Sequence, residues 1–113
     1  MNEPAESTAV VQADLHDGFA TASIARAVDY HLQSSLGRLP EAASVYDYYR
    51  AVSLAVRDRL QRRWAATNRT YLRSGTKVAA YLSAEYLLGP HLGNNLANLG
   101  SEAATREALT AIG

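Results

Sequence analysis

The sequence predicts an α/β protein, of which this chain is a mostly helical part with about four helices and one buried strand near residues 78–82. Three observations lead to this prediction. Apolar residues recur at helical spacing over most of the chain from Thr21 onward. One run of five apolar residues, 78–82, has the length and flanks of a strand that is buried on both faces. No second segment has the pattern of a strand, so the run needs partners that this chain does not supply.

Composition limits the class of protein. The chain has 113 residues, which suits one domain or part of one, and 11 basic side chains balance 11 acidic ones. This balance disfavours a basic nucleic-acid-binding arm and an acidic tail. The lack of cysteine excludes a disulfide scaffold, a thiolate zinc site and a cysteine nucleophile. Since no apolar run approaches 18 residues and the first residues are acidic, neither a membrane span nor a signal peptide is predicted, and a cytoplasmic location is expected.

The first helix is predicted to begin at Thr21. Residues 1–20 lack periodicity and are expected to form a loose lead-in, so 21–113 is taken as the structured part. Apolar side chains then recur every four residues as far as Leu36, and Gly37 stands where a helix C-cap belongs. Pro40 biases the residue before it away from the helical region, which predicts a connection there.

The longest element is predicted over Val45–Tyr71, which would make a helix of about 40 Å. Ser44 is a plausible N-cap, and Asp47 stands three residues later, as in a capping box. A helix of this length needs a large partner surface. One apolar stripe is predicted to face that surface, formed by Val45, Tyr49, Val52, Val56, Leu60 and Trp64.

After the strand, Gly89-Pro90 predicts a turn. A short helix is predicted over His91–Leu99, ending at Gly100, and Ser101 is predicted to cap a last helix that runs through Ile112.

Two features indicate that segments outside this chain are needed. A lone buried strand would leave its N–H and C=O groups unpaired, at about 1–3 kcal/mol for each buried group. The apolar residues of the last helix, around Ala108, would also have no later segment to cover them. Both features predict that the chain is a fragment.

Local signals for a functional site are weak. The three histidines, His16, His31 and His91, have no second ligand three or four residues away, so no metal site is predicted. Residues 44–73 contain seven Arg and two Asp, whereas residues 1–30 contain five acidic side chains and one Arg. This pattern allows a solvated helix face paired with the acidic segment, an anion site built on Arg forks, or, more weakly, a nucleic-acid surface.

Three ordered motifs resemble one enzyme family. They are YDYYRA at 46–51 followed by VRDRL at 56–60 and RW at 63–64; YLSAEYLLG at 81–89; and LGNNLANLG at 92–100. They are similar to the long helix, the first strand with its exit, and the following helix of the α-glucan (glycogen, starch and maltodextrin) phosphorylases. The resemblance runs over roughly residues 25–112, includes His31-Leu32, and has a bacterial character. It implies an N-terminal fragment of that family's N-terminal domain.

The resemblance implies a glycosyltransferase that uses inorganic phosphate to release glucose 1-phosphate from α-1,4-glucans in glycogen or maltodextrin breakdown. Its pyridoxal phosphate would be bound to a lysine beyond residue 113, so the fragment alone is expected to contain no catalytic or cofactor-binding residue and to be inactive. The partners expected are the glucan, phosphate and a second subunit of a homodimer, with no nucleic acid and no membrane. The alternative is a free-standing helical module that binds an acidic partner through its Arg-rich helix.

Two candidate sites are implied by the resemblance. Glu85 would line the active site, where it would bind substrate without being the acid or base; its alternative role is to cap the start of the next helix. Arg62, Arg63 and Arg69 could attract an anionic effector. In nucleotide-activated members, an arginine and an aromatic residue that hold AMP occupy the positions of Ala66 and Leu72, so AMP activation is not expected here.

Overall fold

The computed structural model describes residues 15–85 and 89–113. In this part of the chain, a short helical stretch at residues 15–17 is followed by four α-helices, numbered here α1 (Thr21–Tyr30), α2 (Val45–Ser74), α3 (His91–Leu99) and α4 (Glu102–Ile112). A π-helical turn, His31–Ser35, continues α1, and a 3-10 turn, Pro40–Ala42, precedes α2. The mostly helical prediction is confirmed, and no helix of the described part is both long and apolar enough to cross a membrane.

The core lies where α1 packs between α2 and α4, and α3 closes one end of it by contacting both of those helices. It is built from small and aliphatic side chains, which lets the helix axes approach closely. Its buried members are Ile24, Ala27, Val28, Leu32, Ala51, Val52, Ala55, Val56, Leu99 and Ala108.

Helix α2 begins with the predicted capping box. The Ser44 hydroxyl accepts from the Asp47 backbone N–H at 3.2 Å, and the Ser44 N–H donates to the Asp47 carboxylate at 3.0 Å. The helix ends at Gly75, whose φ of +60° is the left-handed conformation that glycine adopts at little cost. It is 30 residues long, three more than predicted at its C-terminal end.

The predicted apolar stripe of α2 is only partly correct. Val52 and Val56 are buried, but Val45 is 89% exposed and Trp64 is 66% exposed. The buried positions of the helix all lie in its first half, where it packs against the other helices, and residues 61–74 project past the core. At 1.5 Å per residue, this projecting half is about 20 Å long.

The predicted buried strand is wrong for this chain. Residues 76–85 form neither helix nor strand, and Val78, Tyr81 and Leu82 are each more than four-fifths exposed. The physical reason is the lack of a neighbouring strand, which the sequence already indicated. A strand is stabilised by hydrogen bonds to neighbouring strands, and the described residues provide none.

The last two helices have the predicted bounds, but α4 is more buried than expected. Gly100, between α3 and α4, has a φ of +65°. Ala108, however, is completely buried, because α4 folds back onto α1, where Thr21 also donates a hydrogen bond to Glu107 at 2.9 Å. The expectation of an uncovered last helix is wrong for Ala108, because an earlier helix covers this residue rather than a later one.

The predicted lead-in differs from expectation where the structure describes it. Residues 15–17 are helical, and Leu15, His16 and Phe19 are partly buried. Leu15 and Phe19 pack against the core described above. The rest of the expected lead-in, residues 1–14, lies outside the described residues.

Candidate functional site

The basic side chains proposed for an anion lie on the projecting half of α2. Arg62, Arg63 and Arg69 are all exposed. The guanidinium of Arg63 lies 4.9 Å from the ring centroid of Phe19, a cation–π contact, and therefore points back toward the N-terminal segment. The proposed role of the three in anion binding stays a prediction.

Glu85 lies in the exposed segment that comes after α2. Its backbone N–H donates to the Ser83 hydroxyl at 3.1 Å, which is a local turn contact. The strand whose C-terminal end was expected to present Glu85 does not form here. The proposed place of Glu85 in a substrate site therefore stays a prediction.

The sequence does not predict the role of Arg59, one of the seven arginines of residues 44–73. Its side chain is 2% exposed. Nε and Nη2 donate to the carbonyl of Gly18 at 2.9 and 2.7 Å, and Nη1 donates to the carbonyl of Ala55 at 2.8 Å. Arg59 therefore fastens the N-terminal segment to the middle of α2 with the planar donor fork that distinguishes arginine from lysine.

A second missed feature is a cluster of two histidines and one aspartate, which we call the His-Asp cluster (His16, His31 and Asp58). One carboxylate oxygen of Asp58 lies 2.6 Å from Nδ1 of His16 and 2.9 Å from Nε2 of His31. On the opposite side of the His31 ring, Nδ1 lies 2.8 Å from the hydroxyl of Ser35. The three possible ligand atoms all lie within 4.8 Å of one another.

The surroundings of the His-Asp cluster are half enclosed. The His31 side chain is 5% exposed, that of Asp58 16% and that of His16 26%. The ring of Tyr30 stands edge-on to both imidazoles, with centroids 5.5 Å from His16 and 5.3 Å from His31. The cluster is thus sheltered on the side of α1 and open to solvent beside His16.

The electrostatics of the cluster favour an ionised Asp58. Burial by itself would raise the pKa of this carboxyl, but the hydrogen bonds from His16 and His31 outweigh it, and the net result is a lowered pKa. An ionised Asp58 has only acceptor atoms, so each imidazole nitrogen that faces it donates a proton to it. The same donor set, two imidazole nitrogens and a carboxylate oxygen, is one that transition metals bind.

The spacing of histidines and carboxylates along the chain does not predict this cluster. Residues three or four positions apart share one helix face, so that spacing indicates only sites built on a single helix. The cluster combines residues 15 and 27 apart, from the N-terminal segment, the π-helical turn and α2. Only the packing of these three segments brings the side chains together.

Comparison with known proteins agrees with the motifs. Over 87 residues the chain is 47% identical to a glycogen phosphorylase of Synechocystis, and the match includes 77% of this chain and 10% of that protein. It is 39% identical over 87 residues to a glycogen phosphorylase of Chlamydia pneumoniae, with 77% and 11% covered. An alpha-glucan phosphorylase of Arabidopsis thaliana is 37% identical over 92 residues, with 81% and 10% covered.

The chain spans about a tenth of the length of the curated relatives that it matches. No family model and no solved structure matches it. The comparisons give no support to the alternative of a free-standing helical module. The family resemblance predicted from the three motifs is confirmed.

Proposed function

Because the chain belongs by sequence to the glycogen/α-glucan phosphorylase family over the section that it matches, we propose that it is the N-terminal part of a longer phosphorylase of the bacterial type. The observation that carries this proposal is the 47% identity over 87 residues to the Synechocystis glycogen phosphorylase. The whole enzyme would break the C1–O bond of a terminal α-1,4-linked glucosyl unit. A bond from C1 to a phosphate oxygen would form, and the shortened glucan would leave with the proton.

Two exposed apolar surfaces support a place within a larger protein. One is the projecting half of α2, where Trp64 and Leu72 are 66% and 84% exposed. The other is the segment 78–82, whose residues Tyr81 and Leu82 are over 90% exposed. Apolar residues grouped in this way on a small domain are typical of surfaces that another part of a protein covers. In the complete enzyme, we expect 78–82 to pair as a strand of the N-terminal sheet.

The cofactor proposed for the whole enzyme is pyridoxal phosphate, held on a lysine beyond residue 113. The residues of this chain do not fit its attachment. A Schiff-base lysine is desolvated, so that its amine is neutral enough to attack, whereas Lys77, the single lysine of this sequence, is exposed. No step of the reaction is therefore assigned to Lys77.

The roles proposed for this section are to cap the N-terminal domain and contribute to the surface between two subunits. Its partners in the complete enzyme would be the α-1,4-glucan, inorganic phosphate and a second subunit, in the cytoplasm. Glu85 would line the substrate site and orient hydroxyls or a basic neighbour, since an unpaired carboxylate would repel phosphate. Arg62, Arg63 and Arg69 could hold an anionic effector.

The test is to express the complete reading frame that contains this chain and to measure release of glucose 1-phosphate from maltodextrin and phosphate. We expect activity that depends on both substrates, together with pyridoxal absorbance. Lys77→Met is the matched control and should retain both. The 113-residue chain alone should show neither. A folded complete protein that contains pyridoxal phosphate and releases no glucose 1-phosphate would refute the proposal.

A further inference from the structure

We propose that the His-Asp cluster is a zinc site that fastens the N-terminal segment to α2. The three ligands would be Nδ1 of His16, Nε2 of His31 and the carboxylate oxygen of Asp58 that both imidazoles approach. This inference concerns residues outside the proposed substrate and effector sites, and it does not depend on the enzyme's activity.

The geometry suits a small ion with short bonds. Zinc–nitrogen and zinc–oxygen bonds are about 2.0–2.2 Å long, so tetrahedral ligand atoms lie about 3.3–3.5 Å apart. The nitrogens now lie 2.6 and 2.9 Å from the oxygen of Asp58, where each pair shares a proton. For one ion to replace these two protons, each nitrogen must move away from the oxygen by less than about 1 Å. The three ligand atoms now lie within 4.8 Å of one another, and the two nitrogens must likewise come to about 3.3–3.5 Å from each other.

Zinc binding would fix which ring nitrogen of each histidine carries a proton. A ligating nitrogen carries none, so the single proton of each neutral imidazole would lie on its other nitrogen. For His31 that nitrogen is Nδ1, which would donate to the Ser35 hydroxyl 2.8 Å away. For His16 it is Nε2. Two neutral imidazoles and one carboxylate then surround the ion with a net charge of about +1.

The hydrogen bond between His31 and Ser35 resembles those that orient the histidine ligands of zinc sites. A ligating histidine usually donates its second ring proton to a nearby oxygen, which fixes the ring and its tautomer. Ser35 supplies this oxygen, and the π-helical turn His31–Ser35 holds it one turn from the ring. The other carboxylate oxygen of Asp58 lies 3.6 Å from a guanidinium nitrogen of Arg57, an exposed side chain.

The donor set selects the class of metal. Calcium and magnesium bind oxygen ligands, of which this cluster offers one carboxylate. Two imidazoles with one carboxylate suit zinc and its neighbours in the first transition row, with water completing the tetrahedron on the open side beside His16. The bound ion would join the N-terminal segment, the end of α1 and the middle of α2, and would therefore stabilise the fold.

The experiment titrates the 113-residue chain with Co²⁺ and then with Zn²⁺. Tetrahedral Co²⁺ gives an intense visible d–d spectrum, and we expect it to saturate at one ion per chain and to be abolished when Zn²⁺ displaces the cobalt. His16→Gln and Asp58→Asn should each weaken Zn²⁺ binding more than about tenfold. Ser35→Ala should weaken it about tenfold, because it removes the oxygen that orients His31.

His91→Gln is the matched control, because it removes a histidine that lies on α3, outside the cluster. It should bind Zn²⁺ as the wild type does. Far-UV circular dichroism of each variant distinguishes loss of zinc binding from loss of folding. Because His16 is partly exposed, its replacement should leave the helix signal intact. The absence of a cobalt spectrum overturns the proposal. So does zinc binding that survives both His16→Gln and Asp58→Asn, or that His91→Gln removes.

Discussion

The replacement Arg59→Lys tests whether the buried guanidinium fastens the N-terminal segment to α2. Arg59 makes three hydrogen bonds of 2.7–2.9 Å to the carbonyls of Gly18 and Ala55. A lysine ammonium is a single donor point on a flexible stem, so it can keep one of these carbonyls as a partner and leaves the other unmatched. A hydrogen bond to a charged group contributes about 1.5–3 kcal/mol.

We therefore expect Arg59→Lys to lower the local stability by about 2 kcal/mol, which is roughly a 30-fold change in an equilibrium constant. Amide hydrogen exchange measures this change region by region and does not need a two-state transition. Amides in α1 and in the first half of α2 should exchange about 30-fold faster than in the wild type. Arg62→Lys is the control, since Arg62 is exposed on the same helix. If Arg59→Lys leaves exchange in α1 within about threefold of wild type, the guanidinium fork has no fastening role.

Four further outcomes are expected. Ser44→Ala should destabilise the start of α2 by about 1 kcal/mol, measured by hydrogen exchange there. The side-chain and backbone hydrogen bonds of Ser44 hold the pKa of Asp47 below its ordinary value of 3.8. Stability at the start of α2 should therefore be fully present above about pH 4 and fall as the pH drops through the lowered pKa. Ser44→Ala should flatten this acid dependence; an unchanged pH profile would contradict the role of the cap. In the complete enzyme, Glu85→Gln should lower turnover with little change in melting temperature, whereas lost stability with normal turnover would favour the capping role. Millimolar AMP should leave that enzyme's rate unchanged, because Ala66 and Leu72 offer neither a charge nor an aromatic face; activation of several fold would refute this.

Local rules were sufficient where a structure is decided by neighbouring residues. The capping box at Ser44, the left-handed glycines at the ends of helices, and the bounds of α3 and α4 all depend on contacts within a few positions. The three motifs were likewise sufficient to identify the family, because a motif is a property of the sequence.

The same rules failed where burial depends on the surface that lies opposite. The repeat that includes Val45 and Trp64 identifies one face of α2, but a face is buried only where another helix meets it, and α1 reaches only the first half. The segment 78–82 has the composition of a buried strand, yet it is exposed because a strand needs partners to pair with.

The helices, their caps and the family could be predicted from the sequence, since each rests on residues that are close along the chain or on their order. Which polar side chains meet was decided by the packing of distant segments. In the sequence, Arg59 is one of seven arginines in residues 44–73, whereas in the structure it is buried and donates to the carbonyl of Gly18, 41 positions away. His16, His31 and Asp58 converge on one oxygen although each is an ordinary residue of its own segment. Periodic patterns along the chain predict single helices and strands, and they do not predict which side chains of distant segments come into contact.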